Sequence, residues 1–440
     1  MSKAEFTRKS EQLRQLLEAE ATRLGQHSGF VRRQSKLTAS LFVETLVLGL
    51  QERPRASLNE LVQVSAGLGV DISEQGLQAR INEAGVQLLA GLLGQALERL
   101  QNKVRLPGAV LRQFKAVYVL DSSIVTLPKA MQQAFAGFAS PGSQAAVTFQ
   151  LAYEYLSGNL AALELQAGRL SDQSCTLAVR LAQPGRLHLE DLGYFDQDDL
   201  AAIDGAGAFF VSRLKYGTHV YAQASDDVPF DLLAVLRRQP NGHYEQTLYL
   251  GARQHLAVRL VGQRLPAPIV AQRRRKALAA ARKKGHTCSQ TYLEWLSWNL
   301  FITNTTMQQL SSEQLLLIYS LRWQIELIFK VWKSQASLAC TGSYRAERVL
   351  CTLYARLLGL VIFHWLVAPY RVVEGFELSL PKAFHVLQRR VGRLLDSIVT
   401  GWTTTPSVLQ ALADALVRFA AKDARRAKPS SYRRLVSPLP

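Results

Sequence analysis

Three carboxylates carry residue types and spacing that could do chemistry. Asp121 ends the apolar run VYVL, Asp191 ends LHLE, and Glu326 stands alone among bases in YSLRWQIELIFKVWK, residues 319–333. Singly, each has a plain explanation: a turn cap, a helix cap, half of a surface pair with Arg322. Together they offer the all-oxygen ligand set that Mg²⁺ or Mn²⁺ prefers. Two such ions about 4 Å apart can activate an attacking hydroxyl and stabilise a leaving oxygen in phosphoryl transfer. At about 100° per residue, one continuous helix would gather Tyr319, Arg322, Glu326, Lys330 and Lys333 into an arc of about 80°. Leu321, Ile325, Ile328, Phe329, Val331 and Trp332 fall mostly on the other side and supply a packing face. Arginine offers bidentate contact to phosphate, lysine a point charge and tyrosine a donor. The arc therefore suits a metal ligand beside a phosphate track, with a solvated charged face as the alternative.

The elements that must position these groups change character along the chain. Residues 1–105 read as helices. Ser57 with Glu60, and Asp71 with Glu74, form capping boxes around a Gly-containing turn, and the second helix displays Gln75, Gln78, Arg80 and Asn82. That pattern fits a helix-turn-helix DNA reader and an ordinary helical hairpin equally well. From residue 116 strands take over: 116–128, then 145–156 and 160–170 joined by a Ser157-Gly158-Asn159 turn, then 186–195 and 207–217, with helices from Ser171 and Asp196 between them. A hairpin followed by crossover units is the ribonuclease-H-like arrangement of an α/β protein, and it would bring Asp121 and Asp191 to one sheet edge. Residues 218–305 read as a β-rich insertion containing the basic run 272–285 and ending in a strand over 292–304 that returns to the main sheet. A helix over roughly 312–335 carries Glu326, and residues 346–440 are helical. The expected organisation is 1–105 helical DNA-binding domain, 106–217 first part of the catalytic core, 218–305 insertion, 306–345 Glu helix of the core, and 346–440 helical C-terminal region.

Composition narrows the partner. The 440 residues carry 52 Lys+Arg against 34 Asp+Glu, a net charge of +18, which favours a polyanion and nucleic acid before membrane. Cys175, Cys288, Cys340 and Cys351 follow no CxxC or Cys/His spacing, which argues against a zinc site or disulfide framework and fits a reducing compartment. The first residues, MSKAEFTRKSEQLRQ, lack an apolar signal core. The run LLGLVIFHWLVA, residues 357–368, is shorter than the about 20 residues a span needs, so a buried helix and a cytoplasmic location are expected.

The spacing Tyr319-x2-Arg322-x3-Glu326-x6-Lys333 resembles the Y-R-E-K signature of the insertion-sequence 4 family of bacterial DDE transposases. LDSSIVTLP around Asp121 and DLGYF from Asp191 are similar to that family's first and second Asp motifs. The likeness covers roughly 116–345. It implies cut-and-paste transposition of double-stranded DNA, with Asp121, Asp191 and Glu326 binding two Mg²⁺ or Mn²⁺ ions. Strand cleavage at the element's end would be followed by a hairpin, its resolution and strand transfer. Tyr319, Arg322 and Lys333 would hold phosphates, and Lys330, on the same arc, is unassigned. Trp295 or Trp298 would be the stacking partner of a flipped base, with a buried strand tryptophan as the expected role of at least one of them. Arg213 and Lys215 would contact backbone near the site, or be ordinary surface charges. The basic run is a DNA contact or a solvated loop, and the tail bases Arg425, Arg426, Lys428, Arg433 and Arg434 add weaker support. The C-terminal helices would pair two copies as a homodimer in the synaptic complex. A transposase-like DNA-binding protein without catalysis and a stand-alone metal-dependent DNA nuclease are the alternatives.

Overall fold

Strands rich in Val, Leu, Tyr and Phe build mixed α/β sheet structure in the computed structural model, which describes residues 2–33, 35–106, 110–140, 142–338, 345–373 and 376–423. The tail bases named above lie outside the described residues. The chain divides into two units, one of Met1–Leu106, Ser122–Leu170 and Gln324–Lys428, the other containing Pro107–Asp121 and Ser171–Trp323.

The first unit holds the end of β1 (Ala116–Leu127), β2 (Ala145–Glu154) and β3 (Asn159–Ala167), in the order β3-β2-β1. β2 is buried at nine successive positions, as expected of a strand covered on both faces. The antiparallel hairpin β2–β3 turns through Gly158, whose φ of 76° is left-handed. A Cβ there would run into the Arg371 guanidinium, which donates to Tyr155 O at 2.8 Å and Leu156 O at 3.0 Å. Helices Ala39–Glu52, Glu83–Arg99 and Ala346–Val367 pack together in the same unit. The last is long and apolar enough by composition to cross a membrane, but 83% of its most apolar window is buried within the protein, as the sequence led us to expect. Each fully buried Leu or Val there contributes about 1.5–3 kcal/mol. His364 fits this interior because its Nε2 meets Gly158 O at 3.1 Å and burial pushes its pKa down to about 3.

The pair of N-terminal helices departs from the base-reading arrangement. Ser57 and Glu60 do cap helix Leu58–Gly67, but helix Glu74–Arg80 is capped by Ser73 rather than by Asp71. Arg80 donates to Phe30 O at 3.1 Å, Gln78 accepts from Arg348 at 3.5 Å, and Asn82 caps the next helix. Of the four side chains expected to read bases, three have structural partners and only Gln75 is simply exposed.

The second unit carries the start of β1 with β4 (Arg186–Leu189), β5 (Phe209–Arg213), β6 (Val220–Tyr221), β7 (His243–Leu250), β8 (Leu256–Arg264) and β9 (Trp298–Thr303). Their order is β1-β4-β5-β9-β8-β7-β6. β1, β4 and β5 are parallel, and β9, β8, β7 and β6 follow antiparallel. The expected return of a late strand is found in β9, yet β6–β8 also continue the same sheet, because β8 pairs β9 along Arg259–Arg264. Three local expectations are corrected. The basic run is a helix, Ala267–Lys283; Tyr292–Trp295 belong to helix Gln290–Trp295, opened by a Ser289 cap; and the helix expected from Ser171 is a 3-10 turn plus Leu177–Leu181. Breaks also divide the expected Glu helix into Ser312–Tyr319, a 3-10 turn Ser320–Arg322, and Trp323–Gln335.

Candidate active site

The parallel register of β1 and β4 pairs Val119 with Leu189. Carried two residues further, it sets Asp121 beside Asp191 on the same face, since side chains alternate with a period of two. β4 itself stops at Leu189, so Asp191 lies just beyond the strand and directly before the turn Leu192–Tyr194, with which its side chain makes no capping hydrogen bond. Glu190, one residue earlier, takes the opposite face with His188, and both side chains are fully buried with no hydrogen-bond partner among the described residues. Burial first, then Asp199 and Asp196, raise the Glu190 pKa to about 8. Strand alternation thus decides which of two adjacent acids reaches the site.

A single guanidinium joins the two aspartates. Arg322 Nη1 lies 3.3 Å from Asp121 Oδ2 and 3.6 Å from Asp191 Oδ2. Tyr319 donates its hydroxyl to Asp191 Oδ1 at 3.3 Å, while its ring meets Phe301 of β9 edge-on at 4.7 Å. Burial and then the Asp191 charge drive the Tyr319 pKa up, so the phenol stays un-ionised and a donor. These side chains are held from below. Ser311 caps helix Ser312–Tyr319 in a reciprocal box with Gln314. Arg259 of β8 pairs with Glu245 of β7 at 3.1 Å and donates to Leu310 O at 2.6 Å, fixing the chain where that helix begins. The 3-10 turn then carries Arg322 to the carboxylates, a route that a uniform helical wheel does not describe.

Two aspartates converging on a position already filled by a cationic group suit a hard divalent cation. Among the described residues, no group of three or more His, Cys, Asp and Glu side chains is close enough to hold a metal ion. Glu326 is half-buried on helix Trp323–Gln335, and Lys330 and Lys333 are exposed on it. Arg213 ends β5, half-buried, and its charge acts on Tyr319. Lys215 is exposed and lines an open cleft of about 540 Å³ with Tyr216, His219 and Arg253.

The two tryptophans differ in their surroundings. Trp298 is 5% exposed in β9 with the Arg264 guanidinium 5.8 Å from its ring, and Trp295 is half-buried against Tyr216. Trp323, which directly follows Arg322, is 57% exposed.

The geometry agrees with what similarity finds. A model of the family "Transposase DDE domain" matches residues 112–362. The transposase for insertion sequence element IS231B from Bacillus thuringiensis subsp. berliner is 28% identical over 425 residues, covering 91% of this chain and 89% of that one. The transposase for insertion sequence element IS1151 from Clostridium perfringens is 27% identical, covering 94% and 92%. Among solved structures, a piggyBac transposase synaptic complex with hairpin DNA aligns over 90% of this chain at 10% identity and a TM-score of 0.48.

Proposed function

We propose that this chain, which belongs to the DDE-domain transposase family, cuts and rejoins DNA strands at the ends of an insertion sequence by metal-dependent phosphoryl transfer, on a ribonuclease-H-like core. The observation that carries the reading is the Arg322 guanidinium shared by Asp121 and Asp191. Those two carboxylates would hold Mg²⁺ or Mn²⁺, with Glu326 as a further ligand. Bound there, such an ion supplies Lewis-acid polarisation of a phosphate oxygen and a more acidic water or hydroxyl.

The chain's own residues then divide the remaining work. Asp121 lies on β1 and Asp191 just past the end of its parallel neighbour β4, which brings the two carboxylates to one side. Arg322, whose guanidinium is planar and two-pronged, would pair with a DNA phosphate in bidentate fashion. Tyr319, un-ionised, donates to an oxygen rather than repelling it. Arg213, Lys215, Lys330 and Lys333 add positive charge for backbone contacts. Exposed Trp323 offers a face on which a displaced base can stack, and half-buried Trp295 is a second candidate. Under this reading, cleavage frees a 3′-OH that attacks the opposite strand to give a hairpin. Its resolution leaves an end that joins target DNA. Two ends require two copies, so the working form is a homodimer on double-stranded DNA in the cytoplasm.

Incubating the purified protein with DNA carrying the element's end and Mg²⁺ tests this. Nicks, hairpins and joined products are expected, and Glu326→Gln should abolish them while DNA binding is kept. Equal activity in Glu326→Gln removes that residue from the metal assignment. Binding without any cleavage by the wild-type protein would instead favour a non-catalytic relative.

A further inference from the structure

Helix Ala267–Lys283 has 17 residues and none is buried. Its composition is one-sided, with Arg273, Arg274, Arg275, Lys276, Arg282 and Lys283 and no acid. The helix is nevertheless docked. Arg273 donates to Asn299 Oδ1 at 2.8 Å and Trp298 O at 3.4 Å, and Arg274 donates to Leu293 O at 3.0 Å and Ser297 Oγ at 3.1 Å. Val270, Ala277 and Ala281 complete this half-buried side. At about 100° per residue, Arg275, Lys276, Arg282 and Lys283 fall within an arc of about 120° on the opposite side. All four are exposed, and among the described residues none forms an ion pair.

An unpaired like-charged face is unfavourable on its own, and the two arginines beneath it hold it in place. The docked side of the helix lies toward the site. Arg213 at the end of β5 acts electrostatically on Arg273 at one end and on Tyr319 at the other. Arg213 thus stands between the site and the docked side of the helix. From Arg275 to Lys283 the helix rises about 12 Å, and a duplex presents one phosphate charge per about 1.7 Å of axis. Four flexible side chains on that length can each find a phosphate without reading a base.

We propose that the outer face of helix Ala267–Lys283 is a sequence-independent contact for the phosphate backbone of duplex DNA, through Arg275, Lys276, Arg282 and Lys283. This rests on the DNA-processing reading above and extends it to a surface that cleavage chemistry does not use.

The probe is a random-sequence duplex, followed by fluorescence anisotropy over a salt series, with Arg275, Lys276, Arg282 and Lys283 all replaced by Ala. Each lost phosphate contact lowers the slope of log K against log salt by about 0.9, so a drop of about 3–4 is expected. A second variant exchanging Arg and Lys at the four positions (R275K, K276R, R282K, K283R) should keep the wild-type slope, and unchanged circular dichroism shows that the alanine variant is folded. If that variant misfolds, the single changes R275A and K283A should each remove about one unit of slope. An unchanged slope overturns the proposal, as does a loss confined to one DNA sequence. Loss of binding only to phosphatidylserine-containing vesicles, with DNA binding intact, also overturns it. If the wild-type protein binds no duplex at all, the functional reading fails, which is distinct from binding with an unchanged slope.

Discussion

Arg322 stands between Asp121 and Asp191 where a divalent cation would compete with it, and that competition is measurable without any reaction. A ligand at about 100 times its dissociation constant adds about 2.7 kcal/mol of stability. At about 2–4 °C per kcal/mol for a unit of this size, Mg²⁺ should therefore raise the melting temperature by about 5–11 °C, and EDTA should reverse it. Asp121→Asn and Asp191→Asn should each remove the Mg²⁺-dependent part, whatever they do to the starting stability. An undiminished Mg²⁺ shift in both variants would falsify the ligand assignment. At this scale the sequence was informative about charge and poor about exposure. The spacing Tyr319-x2-Arg322 pointed to residues that do meet Asp191 and Asp121. Trp298 and Trp323 could not be ranked, because whether a tryptophan is covered depends on strand pairing and helix ends that spacing does not encode.

Helices and strands were legible where their periods were long and their ends marked. The β2–β3 hairpin and the parallel β1–β4 pair follow from alternation and from the Gly158 turn. The 3-10 turn at Ser320–Arg322 was not legible, since its hydrophobic residues keep nearly the same spacing as an α-helix. The basic helix was also obscure, because arginines rather than apolar residues dock it. Helix Ala39–Glu52 carries another feature no pattern announces, an almost fully buried acid. Burial, and secondarily Glu18, raise the Glu44 pKa to about 8. Folded protein thus keeps a proton that the unfolded chain releases near the ordinary glutamate value, so Glu44 makes stability fall as pH rises from about 4.5 to about 8. Glu44→Gln removes this slope. Urea denaturation should find the variant gaining on wild type by a few kcal/mol between about pH 5 and about pH 8. A difference independent of pH would show that Glu44 does not titrate this way.

For the whole molecule, the fold divides into two units whose chain segments alternate, with one boundary falling inside β1 at Asp121 and another beside Arg322 at Trp323. Contiguous sequence windows cannot express such an arrangement, which explains why strands read as an insertion prove to extend the sheet beside β5. Net charge, by contrast, is a property that sequence gives directly. The excess of 52 bases over 34 acids is large, yet it does not say how many bases meet DNA, since Arg273, Arg274, Arg80 and Arg371 are all engaged with the protein itself. Counterion release supplies the count. If the site bases and the basic helix act together, about 6–10 phosphates are neutralised, and affinity should fall about 1,000-fold to 100,000-fold between about 50 and 200 mM salt. The measurement is a salt series on a duplex long enough to cover both surfaces. A slope near 2 would mean that DNA touches only the immediate site, that Arg275, Lys276, Arg282 and Lys283 face solvent in the complex, and that the positive charge of the chain serves another purpose.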